Sequence, residues 1–80
     1  MEMLARTPQQ IGAIIRRVRK QKQLSQTDVA EKVSLRQATI SAIENGDAGT
    51  IKTLSDILAT LDLELVIRER SSGKAIEDIF

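Results

Sequence analysis

Residues 26–46 read Gln26-Thr27-Asp28-Val29-Ala30-Glu31-Lys32-Val33-Ser34-Leu35-Arg36-Gln37-Ala38-Thr39-Ile40-Ser41-Ala42-Ile43-Glu44-Asn45-Gly46, and the spacing of their apolar members decides the fold. Two short helices joined by a tight turn must cross closely, which demands a small residue at the contact and aliphatic residues around it. Counted from Gln26, the fourth, fifth, eighth, tenth, fifteenth and eighteenth positions are Val29, Ala30, Val33, Leu35, Ile40 and Ile43. That register buries one face of each helix against the other and is the pattern of a helix-turn-helix unit. Ala30 is the small residue where the first of these helices meets the second.

Working outward, Ser25 is an N-cap with Asp28 three residues on in a shortened capping box, which predicts a helix through about Lys32. Ser34-Leu35 is a short turn. The next helix runs from roughly Arg36 to Glu44 and is stopped by Asn45-Gly46. Upstream, Thr7 is an N-cap, Pro8 takes the first helical position, and Gln10 reaches back to complete a capping box. Ile11, Ile14, Ile15 and Val18 follow as an apolar stripe at helical spacing. Arg16, Arg17, Arg19, Lys20 and Lys22 gather towards the end of that helix, where they complement its dipole. Downstream, residues 47–50 are a loop, and a fourth amphipathic helix carries Ile51, Leu54, Ile57, Leu58 and Leu61 on one face.

The period then changes. Leu63, Leu65 and Ile67 alternate with Glu64, Val66 and Arg68, which predicts a short strand. A lone strand after a helical domain has no pairing partner in its own chain, so its backbone groups need another polypeptide. The simplest source is the same segment of a second copy, with Leu63, Leu65, Val66 and Ile67 as dimerisation residues; a different protein, or a continued helix, are the competing readings. Ser71-Ser72-Gly73 is a break, leaving a tail that ends in Ile79 and Phe80, an apolar anchor suited to docking on a partner. The expected organisation is a helix-turn-helix domain over 1–62, a dimerisation strand over 63–70 and a flexible tail over 71–80. The fold class expected is mainly all-α, a four- to five-helix domain with one C-terminal strand pairing across a dimer.

Composition narrows the function. Eighty residues make one domain near the lower limit for a lone hydrophobic core, so a stabilising second chain is plausible. With one Phe and no Trp or Tyr, the core must be aliphatic. Cysteine is absent, which excludes disulfides and thiolate metal sites, and histidine is absent, which removes the commonest general base and neutral metal ligand. The apolar runs are far short of the ~20 residues that span a bilayer, and no signal-peptide core precedes the domain. A cytoplasmic protein with no membrane partner is therefore expected. Net charge is only +1, but residues 1–36 carry +5 and residues 37–80 carry −4, so the first half is the face for a polyanion.

The runs Leu24-Ser25-Gln26-Thr27-Asp28-Val29-Ala30-Glu31-Lys32-Val33 and Gln37-Ala38-Thr39-Ile40-Ser41-Ala42-Ile43-Glu44-Asn45-Gly46 resemble the lambda-repressor-like, or Xre, family over residues 7 to about 61. The Gln-Ala-Thr-Ile-Ser run and the terminal Leu-Glu-Leu-Val-Ile segment are similar to the HipB-type antitoxins, which dimerise through such a strand and bind a kinase toxin. One departure is Ser34, where the family usually has glycine at the turn. The resemblance implies that the helix after the turn lies in the major groove of operator DNA, with Arg36, Gln37, Ala38, Thr39 and Ser41 facing base edges. Gln37 can pair bidentately with adenine, Thr39 or Ala38 can meet a thymine methyl, and Arg36 can reach guanine or a phosphate. Gln26, at the start of its helix, suits a phosphate, as do Asn45 by resemblance and Lys52 by charge. The resemblance also implies an internal ion pair between Arg19 and Glu44, a structural role that takes Arg19 away from the DNA.

An enzyme is not expected, because no nucleophile stands near a base, no glycine-rich phosphate loop is present, and no metal-ligand spacing exists. No cofactor or metal is expected either. The partners expected are double-stranded operator DNA, a second copy of the chain, and a HipA-like toxin kinase. Two rivals remain, a stand-alone transcriptional regulator of the same family and a protein-interaction module that keeps the fold without binding DNA.

Overall fold

Short polar side chains receive backbone N–H groups at three of the four helix starts. The computed structural model describes residues 2–47 and 49–70, with α1 over Pro8–Gln21, α2 over Gln26–Lys32, α3 over Gln37–Glu44 and α4 over Ile51–Thr60. Thr7 Oγ1 accepts from the Gln10 N–H at 3.1 Å and opens α1, with Pro8 at its first position. The Gln10 side chain does reach back, but it accepts from the Arg6 N–H at 2.6 Å, one residue before the position expected of a capping box. At α2 the box is complete, since Ser25 Oγ accepts from the Asp28 N–H and Asp28 Oδ2 accepts from the Ser25 N–H, at 2.9 and 2.7 Å. The bond from the Ser25 backbone N–H, more than that from its hydroxyl, holds the Asp28 carboxyl below its ordinary value. Thr50, which the sequence left in the loop, caps α4 through the Thr53 N–H at 3.0 Å. Arg36 stands at the α3 cap without a side-chain capping bond.

All four helices end alike. The residue after the C-cap takes a left-handed backbone: Gln23 (φ 60°), Ser34 (φ 57°), Gly46 (φ 80°) and Asp62 (φ 62°). The next N–H then turns back to the last turn, Leu24 to the Arg19 carbonyl, Leu35 to Ala30, Asp47 to Ala42 and Leu63 to Leu58, at 2.7–3.1 Å. This satisfies carbonyls that a helix end would otherwise orphan.

Ile15, Val18, Val29, Ala30, Ile40, Ile43, Ile57 and Leu61 form the buried core, so every helix contributes to one cluster. Ile11, Ile14, Leu24, Val33, Leu54, Leu58 and Leu63 pack around it. α1 approaches the end of α3 tightly at Gly12, where an added Cβ would collide with the carbonyl oxygens of Ile43 and Glu44. Ile51, expected on the apolar face of α4, is instead 86% exposed, because it sits on the first turn beyond the reach of the core.

The expected strand does not form within the chain. Residues 63–70 are neither helix nor strand, since the helical domain offers no strand edge to pair with. Leu63 packs on the core, whereas Leu65, Val66 and Ile67 are 65%, 63% and 89% exposed. The Arg68 guanidinium meets the Glu2 carboxylate at 3.3 Å. Among the described residues the architecture is thus four helices, without a fifth, and none of the four is long and apolar enough to cross a membrane.

Candidate nucleic-acid interface

The inward face of α3 carries Ile40, Ile43 and Glu44, all buried, and this fixes which residues the helix turns outward. Arg36, Gln37 and Ala38 are exposed at its start, and Thr39 and Ser41 are half-buried. Ala42, one turn beyond Ala38, is half-buried on the same side and was not among the residues singled out. Asn45 is exposed at the C-cap of α3. Lys52 is exposed at the start of α4 and holds an ion pair with Asp56 at 2.8 Å, one helical turn on. Arg16, Arg17, Lys20 and Lys22 are all exposed along the second half of α1 and at its cap.

Behind this surface lies a connected polar chain. The structure brings Arg19 and Glu44 together as a bidentate pair, Nε to Oε2 at 2.6 Å and Nη2 to Oε1 at 3.0 Å. Their side chains are 8% and 2% exposed. Arg19 Nη1 also donates to the Leu24 carbonyl at 2.8 Å, tying in the α1–α2 turn. Gln26 Nε2 donates to Glu44 Oε1 at 3.0 Å, and Gln37 Nε2 donates to Gln26 Oε1. Burial pushes the Glu44 carboxyl up, but hydrogen bonds from Arg19 and Gln26 with the charges of Arg19 and Arg16 outweigh it and hold the group below its ordinary value. The bond to Glu44 raises the Arg19 guanidinium in turn, against its own burial. No buried polar side-chain atom is left unpartnered among the described residues.

The sequence placed Gln26 and Gln37 at the starts of two helices but did not join them. The signal was there in outline, because a helix-turn-helix crossing brings the two N-termini side by side. Leu63 and Leu65 line one shallow groove with Ile51, Leu54 and Leu58, so the exposed segment continues the apolar face of α4. Ile79 and Phe80 lie outside the described residues. Among the described residues, no group of three or more acidic side chains could hold a metal ion.

Comparison with known proteins agrees with this architecture. A helix-turn-helix family model matches residues 15–67. The chain is 36% identical over 62 residues to the antitoxin HipB of Escherichia coli K12, covering 76% of this chain and 70% of that protein. It is 33% identical over 69 residues to the ImmF control region 10 kDa protein of Bacillus phage phi105, covering 85% and 77% respectively. In three dimensions it is similar to a chain of a solved HipA-HipB-O2-O3 complex, with a TM-score of 0.80, 31% identity, and coverage of 88% of this chain and 100% of that one.

Proposed function

The chain belongs to the helix-turn-helix family of DNA-binding regulators, and on that premise we propose that it is a sequence-specific repressor acting as the antitoxin of a HipBA-like toxin-antitoxin pair. The carrying observation is the start of α3, where Arg36, Gln37 and Ala38 stand exposed on a helix whose opposite side is buried. In the major groove, Gln37 pairs with adenine, Ala38 or Thr39 meets a thymine methyl, Ser41 reaches an adjacent base, and Arg36 takes guanine or a phosphate. Gln26, Asn45 and Lys52 hold the backbone; an exposed pair such as Lys52–Asp56 is worth at most ~1 kcal/mol and yields to a phosphate. Operator binding and autoregulation take place in the cytoplasm.

A two-fold dimer supplies two such helices. Residues 63–70 of two copies pair as a ribbon, which satisfies their backbone and covers Leu65, Val66 and Ile67. The helical domain over 1–62 then reads DNA, the ribbon holds the pair, and the tail with Ile79 and Phe80 docks a kinase-like toxin. Similarity to a chain of a HipA-HipB-O2-O3 complex supports the toxin. The relationship to a phage control-region protein favours a second reading, a stand-alone regulator with the same DNA face and no toxin.

Titration of a duplex from the protein's own promoter at rising salt tests the DNA reading. The logarithm of affinity should fall by about 0.9 per log unit of salt for each phosphate held. A flat response would leave a protein-interaction module. Co-purification of the adjacent gene's product from the native operon separates antitoxin from stand-alone regulator, the second being left if the chain emerges without a partner. Truncation after residue 72 should abolish that co-purification, and unchanged capture would remove the tail from toxin binding.

A further inference from the structure

We propose that Asn45–Gly46 is a self-modifying site, at which the free protein exchanges the Asn45 side-chain amide for a carboxylate and loses much of its hold on DNA. Asn45 is the single asparagine of the chain, and glycine follows it. In such a pair the backbone nitrogen of the glycine can attack the asparagine Cγ, because no Cβ shields it. The N–Cγ bond forms as the Cγ–Nδ2 bond breaks. The backbone N–H proton passes to water, and the departing nitrogen takes one up and leaves as ammonia. Water then opens the five-membered succinimide at either carbonyl. One route leaves aspartate, the other an isoaspartate whose extra methylene lies in the main chain. Nothing is oxidised or reduced.

The Asn45 side chain is exposed at the α3 C-cap and makes no hydrogen bond among the described residues. Glycine is obligatory after it, since Gly46 holds φ 80° and a Cβ there would stand 2.8 Å from the Gln9 backbone. The packing of α1 on this turn therefore keeps an unshielded nitrogen next to the amide. The closed turn restrains the attack. The Gly46 N–H donates to the Ile43 carbonyl at 3.0 Å, and the Asp47 N–H to the Ala42 carbonyl at 2.8 Å. The ring closes only with Asn45 Cβ and the Gly46 nitrogen eclipsed about the Cα–C bond, and ψ 1° at Asn45 holds them apart. Reaction thus waits on opening of this exposed turn, which costs less than opening the core. The product adds a negative charge to a helix end that is already negative. The effect on binding rests on Asn45 holding a phosphate, as proposed above, because the new charge then faces the DNA backbone. Bound DNA in turn favours the closed turn, so operator-bound copies keep their amide while free copies age.

The test incubates wild-type protein, Asn45→Gln and a synthetic peptide of residues 41–50 at mildly alkaline pH. Intact mass and isoaspartate content are followed over time, and affinity for a promoter duplex is measured on fresh and aged protein. With no other asparagine in the chain, the mass reports on residue 45. Wild type should convert about ten- to a hundredfold more slowly than the peptide, at the pace of turn opening. Promoter duplex at about a hundred times its Kd should slow it at least about tenfold further. Aged wild type, and Asn45→Asp made directly and folded by circular dichroism, should bind promoter and scrambled duplexes alike at least about tenfold more weakly than fresh wild type. Asn45→Gln, whose attack would need a six-membered ring, should keep its starting mass and its own starting affinity throughout. An unchanged wild-type mass over about a hundred peptide half-times, conversion as fast as in the peptide, or full affinity in the converted protein overturns the proposal. So does a loss of affinity in Asn45→Gln at the wild-type pace. Fresh wild type that does not bind the duplex would instead overturn the DNA reading, a failure the mass record does not share.

Discussion

Gly12 lies where α1 crosses the end of α3, and a methyl group there would press on the carbonyl oxygens of Ile43 and Glu44, which are backbone and cannot swing aside. Alanine is about 1 kcal/mol better than glycine inside a helix, so Gly12→Ala would stabilise the protein if helix propensity decided the matter. The crossing decides it instead. The substitution should cost about 2–3 kcal/mol, read as a lower midpoint in thermal unfolding. Sequence reading found Ala30 at the α2–α3 crossing because an alanine in an aliphatic register stands out, whereas Gly12 within the α1 stripe reads as a weak helix former. Glu44 carries a second residue-scale expectation. Removing one partner, as in Glu44→Leu alone, should cost about 3–5 kcal/mol by stranding the Arg19 charge, while Arg19→Met/Glu44→Leu should be far milder. Because the folded Glu44 carboxyl ionises below its unfolded value of about 4.3, its contribution is complete above that pH and is lost as pH falls through the lower folded value. Thermal melts between neutral pH and about pH 3 should show a smaller acid-induced loss in the double variant than in wild type.

At the scale of elements, the helix starts were legible and the helix ends only partly so. Thr7, Pro8, Ser25 and Asp28 announce their roles by type, because each has a side chain or ring suited to the first turn. Gly46 announces an end for the same kind of reason. Gln23 and Ser34 adopt the same left-handed backbone with side chains that disfavour it, and Asp62 with one that only tolerates it, so their types mark the stop weakly or not at all. The surviving signal is one residue further on. Leu24, Leu35 and Leu63 each follow such a residue, and Leu24 and Leu63 pack on the core from there. The conformational cost at Ser34 leads to an opposed pair of predictions. Ser34→Gly should stabilise the domain by about 0.5–1 kcal/mol, and Ser34→Val should destabilise it by about 1–2 kcal/mol, both measured by denaturant unfolding. Equal midpoints for the two would mean that the turn does not hold residue 34 in the left-handed region.

For the whole molecule, the charge division and the helix-turn-helix spacing were readable from residue types alone, but what residues 63–70 do was not, because a strand exists only with its partner. Alternation of Leu63, Leu65 and Ile67 with Glu64, Val66 and Arg68 describes a segment able to pair, and a single chain leaves Leu65, Val66 and Ile67 in water. If two copies cover them, Leu65→Glu/Ile67→Glu should turn a dimer into a monomer by light scattering and weaken operator binding at least about tenfold, since two half-sites would no longer be held together. A dimer that survives the pair of substitutions would place the interface elsewhere, with the groove along α4 the next surface to vary. The polar chain behind α3 escaped the sequence for a related reason, because it joins residues from three helices whose side chains meet only once the core has packed. The most direct measurement is the ratio of affinities for the promoter duplex and a scrambled duplex of equal length, taken for wild type and for Gln37→Ala/Thr39→Ala at one salt concentration. A reading helix at α3 predicts a ratio of about a thousandfold or more for wild type that drops at least about a hundredfold in the variant, with scrambled-duplex affinity unchanged. An unaltered ratio in a folded variant would contradict it.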